Sequence, residues 1–164
     1  MKAFAILRAL IFASLFVTVW WWLATIARRF DARLGGPLPV WLRAFAIELI
    51  GVGAILGLAC VFWFAIVGHG TPAPFDPPKD FVATGPYRFV RNPMYIGAAL
   101  TLVGVGLWLQ SPGIVLLAVV GLLIAHSFVV LFEEPALEKQ FGESYRAYKR
   151  SVNRWIPRRP KNIS

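Results

Sequence analysis

The chain has 164 residues, 58% hydrophobic and 15% charged, with a mean hydropathy of +0.65. Soluble domains carry roughly 25% charged residues, so the composition is that of one small membrane domain. Its formal charge of +9 is concentrated, with eight basic residues between Lys139 and Lys161; just beyond an apolar domain, such a tail suits anionic lipid headgroups better than nucleic acid. The single cysteine, Cys60, allows no disulfide framework, and His69 and His126 form no metal-ligand spacing, so no metal is expected.

The first apolar run extends from about Ala9 to Ala27, between Lys2 and Arg8 on one side and Arg28 and Arg29 on the other. It is longer than the roughly 7 to 15 residues of a signal-peptide core and lacks a small-residue cleavage site, so it reads as a retained span. "GGPLP", Gly35 to Pro39, is a breaker-rich loop. A second span covers Trp41 to Val67, with Gly53 and Gly57 at small-xxx-small spacing. Glu48 in that span calls for a partner such as Arg8 or Arg43, or for a function.

Between Gly68 and Asn92, "TPAPFDPPKD" is too proline-rich for a helix or a central strand. A third span follows from Pro93 to Leu109, "QSPG" turns the chain, and a fourth runs from Ile114 to Phe132, forming a helical hairpin. After "EEP", Leu137, Phe141, Tyr145, Tyr148 and Val152 form one apolar stripe, predicting a surface helix that lies among headgroups or covers the loop before the third span. The expected fold is therefore all-α, a polytopic membrane protein with about four transmembrane helices. Residues 1–68 would supply two spans and residues 69–164 a core of loop, hairpin and amphipathic C-terminal helix. Thirteen basic residues on the side of the N-terminus, the 68–92 loop and the tail, against four in the 28–43 loop, make the first side cytoplasmic.

"TGPYRFVRNPMYIG", Thr84 to Gly97, breaks this apolar pattern. Asn92 suits an N-cap and Pro93 a first helical position, after a turn at Gly85 and Pro86. Such a helix start favours an anion, and Arg88 and Arg91 reinforce the preference, while Tyr87 and Tyr95 offer aromatic faces and hydroxyls. A juxtamembrane collar of snorkelling Arg and anchoring Tyr would have the same composition. Glu133 and Glu134 adjoin the end of the fourth span, where carboxylates need a positive partner unless Pro135 opens a new helix with this pair at its acidic start. A hairpin returns to the face it left, so Glu133 and the Asn92-Pro93 corner should be neighbours.

"FDPPKDFVATGPYRFVRNPMYIG" and "EEPALEKQFGESYRAYKRSVNRWIP" resemble, in this order, the membrane methyltransferases related to isoprenylcysteine carboxyl methyltransferase and phospholipid N-methyltransferases. The resemblance covers about Phe75 to Pro157. It implies S-adenosyl-L-methionine as cofactor, contacted by Lys79, Asp80, Phe81, Val82 and Tyr87 and by a second segment of Asn92, Pro93, Met94 and Tyr95. Glu133 would sit at the reaction centre with Glu134 beside it, in a bacterial inner-membrane protein with its site facing the cytoplasm. Asn92 stands where the eukaryotic carboxyl methyltransferases carry histidine, and Val129 where they carry an arginine, so prenylcysteine recognition does not carry over.

Methyl transfer fits the residues themselves, because an activated methyl needs alignment and exclusion of water rather than a protein nucleophile. Cys60 lies mid-span, and Ser127 points away from its neighbour His126. A lipophilic or lipidated acceptor with an amine or thiol must lose a proton, for which Glu133, Glu134 and His126 are candidates; a carboxylate need not. His126, about two turns before Glu133, is either a substrate contact or a packing residue. The rivals are a non-catalytic membrane scaffold or lipid-binding protein and an NADPH-dependent membrane reductase.

Overall fold

The structure, a computed structural model, describes residues 2–68 and 81–158. The proline-rich stretch, with the expected cofactor residues Lys79 and Asp80, lies outside the described residues. Helix α1 is Lys2–Arg28, α2 Ala46–Ile66, α3 Pro93–Trp108, α4 Pro112–Phe128, α5 Glu134–Phe141 and α6 Glu143–Ser151, and there is no strand among the described residues. Two helical stretches, Val40–Ile66 and Pro112–Phe141, are long and apolar enough to cross a membrane. The 16 residues of α3 give a shorter rod, of about 24 Å at 1.5 Å per residue.

The spacing of small residues sets the packing. A Cβ on Gly53 would stand 2.5 Å from the Gly97 carbonyl oxygen, and one on Gly97 would stand 2.8 Å from the Gly53 oxygen. The backbones of α2 and α3 therefore meet directly, which makes this the most extensive helix pair in the molecule. Gly57 is the lesser partner, since a Cβ there would meet nothing within 4 Å. On its other side α3 packs on α4, which in turn carries α1.

The hairpin tip turns at Gln110, a non-glycine residue at φ 54°, and restarts at Ser111, whose Oγ accepts from Ile114 N at 3.2 Å. Asp31, just after α1, accepts from Ser111 Oγ at 2.8 Å and from Gly113 N at 2.9 Å. Gln110 and Leu38 exchange two further hydrogen bonds, so the 28–43 loop and the tip share one end of the bundle. At this end Arg43 Nε donates to the Trp108 carbonyl at 2.9 Å and makes no ion pair with Glu48 among the described residues, while the side chain of Arg8, the other expected partner, lies outside them.

At the opposite end two expectations need correction. Pro135 does not open a separate helix, because α4 continues through a π-helical turn, Val129–Glu133, directly into α5. The amphipathic stripe is not carried on one surface helix either. Gly142, at φ 56°, breaks it between α5 and α6, a backbone conformation that glycine adopts without a side-chain clash. Leu137, Phe141, Tyr145, Tyr148 and Val152 nonetheless converge, packing around Phe81 and Ala83. Their apolar faces thus cover the segment before α3.

Candidate active site

Two carboxylates on consecutive residues face different partners, because neighbouring positions on a helix point about 100° apart. Glu134, 5% exposed, lies among cations. Arg91 Nη1 donates to its Oε1 at 2.6 Å, Arg154 Nε to Oε1 at 2.8 Å and Arg154 Nη2 to Oε2 at 2.9 Å. Lys149 Nζ stands 3.9 Å away. This satisfies the demand for a positive partner, and these bonds raise the pKa of the Arg154 guanidinium. Glu133 is instead approached by Tyr95, whose hydroxyl donates to Oε2 at 3.0 Å. The paired glutamates and the corner at the start of α3 therefore form one site.

The tail closes around that corner. Arg91 N donates to the Asn153 carbonyl at 2.9 Å, Arg158 N to the Phe89 carbonyl at 2.9 Å, and Asn92 Nδ2 to the Arg154 carbonyl at 3.2 Å. Asn92 thus occupies the N-cap position of α3 but makes no side-chain cap, contrary to expectation, because its amide is committed to the tail. Arg88 remains exposed with its guanidinium 5.3 Å from the Phe89 ring centroid, while Arg91 serves Glu134.

The expected cofactor residues separate into groups. Tyr95 stands beside Glu133, with buried Asn92 and Pro93 at the helix start. Val82, Tyr87 and Cys60 form a buried cluster on which Met94 packs. Burial pushes the pKa of the Tyr87 hydroxyl well above the ordinary phenol value. Phe81 points into the other cluster, with Tyr148 and Tyr145 edge-on at centroid distances of 5.0 and 5.7 Å. Tyr148 Oη donates to the Tyr87 carbonyl at 2.6 Å, joining the two clusters. Burial pushes Tyr145 up to about 12 and Tyr148 higher still, so both hydroxyls stay protonated at neutral pH.

Sequence reasoning missed the tail residues of the site. Arg154 clamps Glu134, and Trp155 Nε1 donates to His126 Nδ1 at 2.9 Å. The available signal was "RWIP", in which a tryptophan interrupts a basic tail that otherwise reads as a headgroup-binding segment. His126, proposed from sequence as a substrate contact or packing residue, is exposed and held by this indole.

The chain belongs to the phospholipid methyltransferase family, which matches residues 41–144. That span includes α2, the corner, the hairpin and both glutamates, and the class of activity is accordingly methyl transfer. An uncharacterised protein of Haemophilus influenzae is 36% identical over 63 residues, 38% of this chain and 100% of the relative. No solved structure gives a significant match.

Proposed function

We propose that the protein transfers a methyl group from S-adenosyl-L-methionine to an amine-bearing lipid at the cytoplasmic face of the bacterial inner membrane, which it crosses four times. The observation that carries this reading is the approach of Glu133 to the start of α3, with Tyr95 Oη donating to it at 3.0 Å beside the fully paired Glu134.

The residues present fit the cofactor. Arg91 Nε is buried and has no hydrogen-bond partner, and α3 begins without a capping side chain, so donors for a carboxylate remain at this corner. Arg91, Met94 and Tyr95 would hold the cofactor, with the packing of Met94 on the Tyr87 cluster fixing the wall behind them. When bound, S-adenosyl-L-methionine supplies a methyl group already activated by its sulfonium.

Electrostatics selects among acceptors. Arg91 and Arg154 are directed at Glu134 and Lys149 at Glu138, so Glu133 faces the acceptor with the Tyr95 phenol as its hydrogen-bond partner. An anionic acceptor would be repelled there, whereas an ammonium group is attracted by the carboxylate and by the Tyr95 and Trp155 rings. Glu133 orients the amine and takes the proton that the nitrogen must lose on methylation, and Tyr95 holds the carboxylate in place. Glu134 acts through the clamp, as a positioning residue.

The test is transfer of labelled methyl from the cofactor to phosphatidylethanolamine in vesicles. Wild-type protein should label the lipid, and Glu133→Gln should lose about 100-fold or more while staying folded. Wild-type protein that neither labels lipid nor binds the cofactor by calorimetry would establish the scaffold alternative instead.

A further inference from the structure

Trp155 occupies a junction between the two helices of the site. Its indole N–H reaches His126 Nδ1 on α4, and its ring centroid lies 6.0 Å from the imidazole. On its other side it meets the Tyr95 ring of α3 edge-on at 6.3 Å, and Tyr95 in turn holds Glu133. The neighbours of Trp155 are fixed. The Arg154 carbonyl is bonded by Asn92 and its guanidinium by Glu134, and the Asn153 carbonyl is bonded by Arg91 N. These bonds hold the backbone before Trp155 in place, so the indole is presented to His126.

An indole N–H only donates. The imidazole nitrogen that accepts from it carries no proton, so the ring proton of His126 resides on Nε2 and the histidine presents a donor rather than a lone pair. Held in this way, His126 does not remove a proton from the acceptor, which leaves that task to Glu133. His126 is exposed and precedes Glu133 along the same helix, which places it on the order of 10 Å deeper in the membrane at 1.5 Å per residue. A lipid whose amine reaches Glu133 from the headgroup level carries its ester groups deeper, towards the acyl chains.

We propose that Trp155 is a positioning residue that fixes the Nε2–H tautomer of His126, and that this N–H binds an ester carbonyl oxygen of the acceptor lipid. The inference rests on the methyltransferase reading of the site and adds a second point of recognition, below the amine.

The tautomer is read by nitrogen NMR of the full-length protein with labelled histidine, the His126 signals being assigned by their loss in His126→Gln. Wild-type protein should show Nε2 protonated and Nδ1 bare, and Trp155→Phe, which keeps an aromatic ring but removes the N–H, should show both tautomers. Recognition is read kinetically with phosphatidylethanolamine in phosphatidylcholine vesicles. The Gln amide mimics Nε2 and should keep KM within about threefold, whereas Asn mimics Nδ1 and should raise KM about tenfold with kcat little changed. An ether-linked acceptor, lacking the carbonyl, should raise the wild-type KM about tenfold and make no difference to His126→Asn.

A proton on Nδ1 in the wild type overturns the proposal, as do equal KM values for Gln and Asn or no preference for the ester lipid. Wild-type protein without any methyl transfer would overturn the methyltransferase reading, and the NMR result would still decide the role of Trp155 towards His126.

Discussion

Arg154 holds Glu134 in a two-pronged grip, Nε on Oε1 at 2.8 Å and Nη2 on Oε2 at 2.9 Å, so the tail is fastened to the first residue of α5. Arg91 reaches the same carboxylate from the loop before α3. One side chain therefore joins three stretches far apart in the sequence. Glu134→Ala leaves the Arg91 guanidinium, 11% exposed, without its counter-charge, and should cost about 3 kcal/mol. Chemical unfolding in detergent measures this, and a loss below about 1 kcal/mol would show that the grip does not hold the fold. Arg154→Ala, at the more exposed side of the grip, should cost less but make the tail more susceptible to trypsin.

Tyr95→Phe keeps the ring contact with Trp155 and removes the hydrogen bond to Glu133. Methyl transfer should fall about tenfold, with unfolding barely changed. An unaltered rate would mean that Glu133 needs no phenol to orient it.

Gly53→Ala and Gly57→Ala should behave oppositely although both sit on α2. A methyl on Gly53 would stand 2.5 Å from Gly97 O and 2.7 Å from Thr101 N, whereas one on Gly57 would meet nothing within 4 Å. The first should cost about 1–3 kcal/mol by forcing α2 and α3 apart, and the second should leave the thermal midpoint within a degree or two of wild type or raise it, as alanine favours a helix interior (about 1 kcal/mol over glycine). Equal melting temperatures for the two variants would contradict the close approach at Gly53.

Tyr148→Phe removes the donor to the Tyr87 carbonyl inside the aromatic cluster. Leaving that buried oxygen unpaired should cost about 1–3 kcal/mol. The variant should also weaken cofactor binding, because Tyr87 and the Met94 wall share one cluster. Calorimetric titration with S-adenosyl-L-methionine checks the second effect, and unchanged affinity would separate this hydrogen bond from the site.

Much of the bundle was legible because apolar runs and breakers act locally. Gly35 and Gly36 at positive φ and the Pro93 start of α3 fall where their residue types require, and the "QSPG" turn falls in place although Gln110, not its glycine, takes the positive φ. The meeting of the corner with Glu133 and Glu134 followed from the hairpin's return to its own face. Less was legible where distant segments decide the outcome. Asn92 looks like a cap in its local sequence, but the tail takes its amide. The five stripe residues were identified, yet Gly142 lets them converge from two short helices instead of one. Arg154 and Trp155 carried no local sign of their partners, which lie 20 and 29 residues away.

The π-helical turn at Val129–Glu133 sets the angular phase of everything that follows it on the same rod. Before it, α4 is oriented by its neighbours α1 and α3; the turn's last residue, Glu133, meets Tyr95, and the first residue after it, Glu134, meets the two arginines. Closing that loop of backbone by deleting one residue would swing both carboxyl groups around the axis by about 100°. The spacing between hairpin and acidic pair should therefore tolerate substitution far better than a change in length.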